Sequence, residues 1–294
     1  DDSRWADHSW HMQVDDPGYV AYIKGRYTGH KAAYPDLGGL FLDGPVSYKI
    51  FRLYALKFLS CYNPANTPPE RDCPDVFKDE NLYEAYYGNA LNDMTNYFSD
   101  MTFVVNSHIS PWPVGPPDGE MNEHAFHNHN RGDGIGDPDD PGFYPESVIR
   151  EHLELMGLEE NAGRLVMTLS GGRKTDEIWT APPGWYEKIG EYVSAGFLLG
   201  KREDSHTLLS LEMGRPLNDA PEYHPRFYGI QLGEALGAYE AFDCLNPGSQ
   251  NPKCLYKREF DKGTVYLNPT PLVRTVFVSG TYYDLDGNVV SGAL

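Results

Sequence analysis

The chain has 294 residues, enough for one barrel-sized domain or for a domain with a small appendage. Its net charge of −19 and pI near 4.8 argue against nucleic-acid binding, because no basic stripe offsets the acidic balance. No apolar stretch approaches the ~18 residues of a membrane span. Aromatic content is 13%, with 21 Tyr and 5 Trp beside 30 Gly and 23 Pro, which predicts a loop-rich globular protein with many flat faces suited to stacking on sugar rings.

In chain order, strands are expected at Ser9–Val14, Gly39–Leu42, Thr102–Asn106, Gly119–Asn122, Leu165–Leu169 and Thr207–Leu211. Helices are expected between most of them. One runs from Pro17 to Ala33, opened by Asp16-Pro17. Others are predicted at Val46–Leu59, Leu82–Tyr97, Glu146–Met156, Trp185–Phe197 and Phe227–Phe242. In Leu82–Tyr97 the residues Leu82, Tyr86, Ala90, Leu91 and Met94 share one face. Strand–helix alternation of this kind points to a parallel α/β architecture of the (β/α) barrel type. A closed barrel needs eight strands. The shortfall, with an abrupt opening at Asp1-Asp2-Ser3 and no signal peptide, suggests that the first units precede this chain.

After Cys254 the texture changes. Lys257–Leu267, Val273–Val278 and Thr281–Leu285 alternate or run β-branched and aromatic, joined by Asn268-Pro269-Thr270-Pro271, Ser279-Gly280 and Asp286-Gly287-Asn288. The last of these joints is a hairpin signal before Val289-Val290. The expected division is a barrel over residues 1–255 and a small antiparallel β-domain over 256–294.

The four cysteines form two close pairs, Cys61 with Cys73 and Cys244 with Cys254, each around a Pro/Asn-rich loop. No His lies inside either loop and the spacing is too long for a zinc knuckle, so two local disulfides are expected. They imply an oxidising, extracellular compartment.

Two apolar segments end in carboxylates. Gly39-Leu40-Phe41-Leu42 runs into Asp43-Gly44, and Asp118-Gly119-Glu120-Met121-Asn122 runs into Glu123. Acids at the C-terminal ends of barrel strands are what glycosidic hydrolysis requires. Asp43 also suits a plain helix-capping turn, and Glu120 is the fallback for Glu123. Glu212, after Thr207–Leu211, is a third candidate acid.

With these residues stand Asp16-Pro17-Gly18-Tyr19, Val104-Val105-Asn106, Arg258-Glu259-Phe260, Gly263-Thr264-Val265-Tyr266-Leu267-Asn268-Pro269 and Tyr282-Tyr283-Asp284-Leu285-Asp286-Gly287. In this order the chain resembles the hypothetical glycoside-hydrolase-like TIM barrels, distantly similar to the endo-α-1,4-polygalactosaminidases. The resemblance covers most of residues 15–290. It implies a TIM barrel with a small C-terminal β-domain, and hydrolysis of a polysaccharide through an Asp and a Glu at Asp43 and Glu123. Family members usually have two or three strands before the segment that starts here. The insert His124–Gly142 and the Cys61–Cys73 loop depart from the family pattern.

For substrate binding, Asn106 and His108 are candidates to hydrogen-bond sugar hydroxyls, and Trp112, Trp179 and Trp185 are candidate stacking platforms. No cofactor is required by this chemistry. Calcium is the candidate ion for Asp133, Asp137 and Asp139, whose oxygen density suits it although the EF-hand's closing Glu is missing. His124, His127 and His129 have alternate spacing that either ligates a transition metal or decorates a solvated loop. Gly171-Gly172-Arg173-Lys174 lacks P-loop spacing and reads as an anion-cradling or structural turn. The expected partners are a polysaccharide and copies of the chain itself, in a homo-oligomer or filament. The alternative to an enzyme is a catalytically silent barrel serving as an extracellular carbohydrate-binding or self-assembling structural protein.

Overall fold

A computed structural model describes residues 17–42, 65, 67, 79–106, 118–123, 125–127, 142–172, 185–202, 207–213, 225–248 and 252–293. Five strands form a parallel sheet in chain order: β1 (Gly39–Leu42), β2 (Thr102–Asn106), β3 (Gly119–Glu123), β4 (Leu165–Gly172) and β5 (Thr207–Met213). They alternate with α1 (Pro17–Ala33), α2 (Glu80–Tyr97), α3 (Glu146–Asn161) and α4 (Trp185–Gly200). The expected strand Ser9–Val14 and helix Val46–Leu59 lie outside the described residues. The chain divides into two compact units, Asp1–Met121 and Asn122–Leu294, so β3 straddles the division.

In the first unit, Pro17 takes the first helical position of α1, where its missing N–H costs nothing. Asp79 caps α2 by accepting from the N–H groups of Asn81 and Leu82 at 2.9 and 3.3 Å. Leu91, Met94 and Phe98 then pack on Leu40, Phe103 and Val105, with Ile23 and Tyr27 of α1 alongside. This is the helix-covered face of the sheet. Alternation puts Phe41, Val104 and Asn106 on the other face. Just before β3 begins, the Asp118 carboxylate accepts the Phe103 N–H at 2.8 Å.

In the second unit, α3 buries Ile149, His152, Leu153 and Met156, and α4 buries Ile189, Val193 and Phe197. These spacings of three and four residues give each helix one apolar stripe. Val166 and Leu211 of the sheet meet that stripe. An antiparallel sheet follows, ordered β6 (Glu240–Leu245), β7 (Lys253–Phe260) and β8 (Gly263–Leu267). Cys254, Tyr256, Val265 and Leu267 join the same core as α3 and α4. Arg258 is buried and ties β7 to α4. Its guanidinium donates to the carbonyls of Leu198, Leu199 and Lys201 at the helix end, and to Gly237 O at 2.9 Å. Helix ends carry carbonyls without intrahelical partners and a partial negative charge, and a cation there satisfies both.

Cys244 and Cys254 are bonded, with Cα atoms 4.0 Å apart. Cys61 and Cys73 lie outside the described residues. A two-stranded antiparallel sheet of β9 (Phe277–Tyr283) and β10 (Val289–Ala293) ends the chain, closed by the expected Asp-Gly-Asn turn. Asp284 accepts there from the backbone N–H groups of Asp286 and Asn288.

Three expectations require correction. Phe227–Phe242 is not a helix: only α5 (Pro225–Tyr228) is helical, and Glu240–Phe242 pair with β7. Gly229, Gly233 and Gly237 interrupt the segment, and Gly233 sits at φ 77°, which a continuing helix forbids. Lys257–Leu267 is a hairpin rather than one run, because Asp261 and Lys262 turn the chain between β7 and β8. Ser279-Gly280 is no joint, since β9 passes straight through it.

Candidate functional site

Parallel strands present all their C-terminal ends at one edge, and side chains placed there emerge into the loops. In the first unit Leu42, in register with Val105, ends β1 at this edge; Asp43, the next residue in sequence, lies outside the described residues. Asn106 closes β2 and is only 1% exposed. Glu120 is in register with Val105 and therefore belongs to the helix-covered face, also buried. Its position weakens it as a fallback acid, because the strand's alternation turns it away from the face that Asn106 shares. The first unit also holds a cavity of about 340 Å³ between α1 and α2, lined by Val20, Ala21, Ala90 and the Lys24–Asp93 ion pair. It belongs to the helix layer rather than to the strand ends.

In the second unit Glu123 is the last residue of β3, and Glu212 is in register with Gly171 near the ends of β5 and β4. Gly171 and Gly172 are strand residues paired with Glu212 and Met213, which corrects their reading as a structural turn. The reason is the length of β4, whose ladder continues through both glycines. Arg173 and Lys174 lie outside the described residues.

Beyond Glu123 the chain makes a tight turn at Ala125-Phe126-His127. The His127 N–H donates to Ala125 O at 2.8 Å across Phe126, whose φ is 65°. This is the γ-turn with positive φ, rare and strained for a residue with a bulky side chain. Hydrogen bonds from elsewhere hold it, and His127 also bridges Phe143 in antiparallel fashion. The Ala125 N–H donates to Leu169 O at 3.1 Å, the Phe126 N–H to His152 Nδ1 at 2.9 Å, and Ser170 Oγ to His127 O at 3.2 Å. The His127 ring is 1% exposed and lies edge-on to Phe143 at 5.0 Å, so it belongs to a packed base and not to a solvated loop.

His152 reaches the turn from α3. It is fully buried, with Phe126 and Tyr144 edge-on at 5.5 and 5.4 Å. Burial alone pushes its pKa down from 6.5 to about 4, so the ring is neutral near pH 7. Because Nδ1 accepts, the ring proton is assigned to Nε2, which has no partner among the described residues. Nearby, Tyr192 packs on Phe143 at 4.8 Å, and burial raises its phenol pKa. At the other end of α3, Tyr256 donates to Glu146, and desolvation followed by that carboxylate raises the Tyr256 pKa.

Of the remaining sequence candidates, Trp185 is the first residue of α4. His108, Trp112, Trp179, Asp133, Asp137, Asp139, His124 and His129 lie outside the described residues. Among the described residues no group of three or more His, Cys, Asp or Glu is arranged to hold a metal ion. None of their helices is long and apolar enough to cross a membrane. The sequence reading missed His152 and Ser170. The signal for His152 was present, as one polar residue inside the apolar stripe Ile149, Leu153, Met156.

No protein-family model matches the chain, and no curated protein matches its sequence.

Proposed function

We propose that this chain is a secreted, glycoside-hydrolase-like (β/α) barrel protein that cleaves a polysaccharide through Asp43 and Glu123. The observation that carries the reading is the parallel sheet itself, whose β1, β2, β3 and β5 end at Leu42 (the residue before Asp43), Asn106, Glu123 and, one residue past Glu212, Met213. Hydrolysis asks one carboxylic acid to protonate the leaving oxygen and one carboxylate to attack or to activate water. Separation sets the outcome, at ~5–5.5 Å for retention and ~6.5–9.5 Å for inversion. Glu212 is the reserve acid. Asn106, and by sequence His108, supply hydrogen bonds to sugar hydroxyls, while Trp112, Trp179 and Trp185 supply stacking faces. The Cys244–Cys254 bond supports an oxidising, extracellular setting. Calcium held by Asp133, Asp137 and Asp139 would stabilise the acidic insert, and a chelator would then lower the melting temperature.

A second reading, a silent carbohydrate-binding or self-assembling barrel, is favoured by one feature. Phe41 and Leu208, each on the face of the sheet away from its helices, are 42% and 52% exposed. Eight strands would cover that face in a closed barrel. A panel of neutral, acidic and amino polysaccharides separates the two readings. Release of new reducing ends supports the hydrolase. Retention on one glycan without release supports the silent barrel.

A further inference from the structure

We propose that His152 is the latch of a pH-sensitive turn. As a neutral imidazole it holds Ala125-Phe126-His127 in its strained form, and on taking a proton from water at Nδ1 it loses its acceptor and lets the turn relax.

A phenylalanine at φ 65° is strained and persists only where its surroundings over-determine it. Here they do. The backbone on either side is fixed by Leu169 O and Ser170 Oγ, which leaves the Phe126 N–H as the group that points away from the sheet. Its partner is His152 Nδ1. The Phe126 ring is fully buried and lies against Gly196 of α4, where a Cβ would fall 2.6 Å from the ring. The ring is therefore set by packing, and the Phe126 N–H at the apex of the turn is held by a titratable acceptor.

A protonated imidazole has two N–H donors and no acceptor, so Nδ1–H would face the Phe126 N–H donor to donor. Among the described residues no carboxylate is paired with the ring, and burial is the one cause of its shift. The positions three and four residues away on α3 are Val148, Ile149, Leu155 and Met156. Tyr144 faces the ring from the segment before α3. In the same core, Tyr192 of α4 packs on Phe143, and Tyr256 of β7 is engaged by Glu146. Burial without a counter-charge favours the neutral ring, in agreement with its depressed pKa of about 4. The turn begins two residues after Glu123, so the latch also sets how β3 ends. That consequence for catalysis rests on the proposed function, whereas the latch does not.

The test is amide hydrogen exchange at Phe126, corrected for the intrinsic effect of pH, between pH 6.5 and 4.5. In the wild-type chain, opening should become roughly ten- to a hundredfold more favourable over this range, while Val193 in α4 keeps its protection. His152→Asn offers an amide oxygen in place of Nδ1 and does not titrate, so it should protect Phe126 at both pH values. His152→Phe should leave Phe126 open at both. Acid-accelerated exchange that persists in His152→Asn, or that appears equally at Val193, would overturn the latch. If His152→Phe does not fold, the asparagine variant decides. Because exchange is read without substrate, a failed latch and a failed hydrolase assignment give separate results.

Discussion

At the residue scale, burial of His152 without a charged partner among the described residues ties its protonation to folding. Its folded pKa of about 4 lies below the unfolded value of 6.5, so the unfolded chain binds more protons between those limits. Stability should therefore be full above about pH 6.5 and fall as the pH drops towards 4. The expected loss is about 3 kcal/mol, since each pH unit between the two values contributes roughly 1.4 kcal/mol. Denaturant melts of wild type and His152→Asn at pH 7 and 4.5 check this, because the difference between the two proteins isolates His152 from the carboxylates. A pH response identical in both would refute it. Gly196 makes the companion prediction. Its replacement by Ala would drive a methyl into the fixed Phe126 ring and should cost about 1–3 kcal/mol, read as a lower denaturation midpoint with unchanged slope. An unaltered midpoint would mean that the ring has room to move. Neither residue announces itself in sequence as more than a polar interruption or a helical glycine, since what matters is the partner each meets from a distant element.

At the scale of elements, much was legible. Gly39–Leu42 and Thr102–Asn106 form strands at the predicted bounds because short apolar runs closed by glycine, Asn or Asp have few other solutions. The two helices that cover the second unit were legible from the stripes Ile149-Leu153-Met156 and Ile189-Val193-Phe197. Phe227–Phe242 misled for the same reason in reverse. Its apolar residues recur at helical spacing, but pairing with β7 decided its conformation: Leu236 donates its N–H to Glu259 O, and Phe242 is in register with Leu255. Pairing between distant segments is invisible to local periodicity. The capping of α4 by Arg258 was equally hidden. Replacing Arg258 by Met would keep much of its apolar stem but strand several helix-end carbonyls. We expect a loss of about 2–4 kcal/mol and a melting temperature lower by roughly 5–12 °C. Calorimetry of Arg258→Met checks it, and a shift under about 2 °C would show that water satisfies those carbonyls instead.

At the scale of the whole molecule, alternating strands and helices made a parallel sheet foreseeable, and the Cys244–Cys254 bond followed from the closeness of the pair in sequence. Which side chains meet at the strand ends was not foreseeable, because it depends on register and on long loops. The exposed Phe41 and Leu208, together with Val273 and Phe277 at 99% and 80% exposure, leave apolar surface that association would cover. We therefore expect light scattering on the 294-residue chain to give a mass above 33.1 kDa. A net charge of −19 opposes association, so the mass should rise with salt as that repulsion is screened. A monodisperse monomer at all ionic strengths would contradict this.

The central claim is that Asp43 and Glu123 form the hydrolytic pair. It is tested most directly by measuring reducing-end release from the glycan that the wild-type chain cleaves, for Asp43→Asn and Glu123→Gln side by side, with affinity for the same glycan and thermal melts as controls. The account predicts that each substitution lowers hydrolysis by at least about a hundredfold, as loss of an acid or base typically does, while binding and melting stay near wild type. Hydrolysis undiminished in both variants, or a wild-type chain that cleaves no polysaccharide, would contradict it.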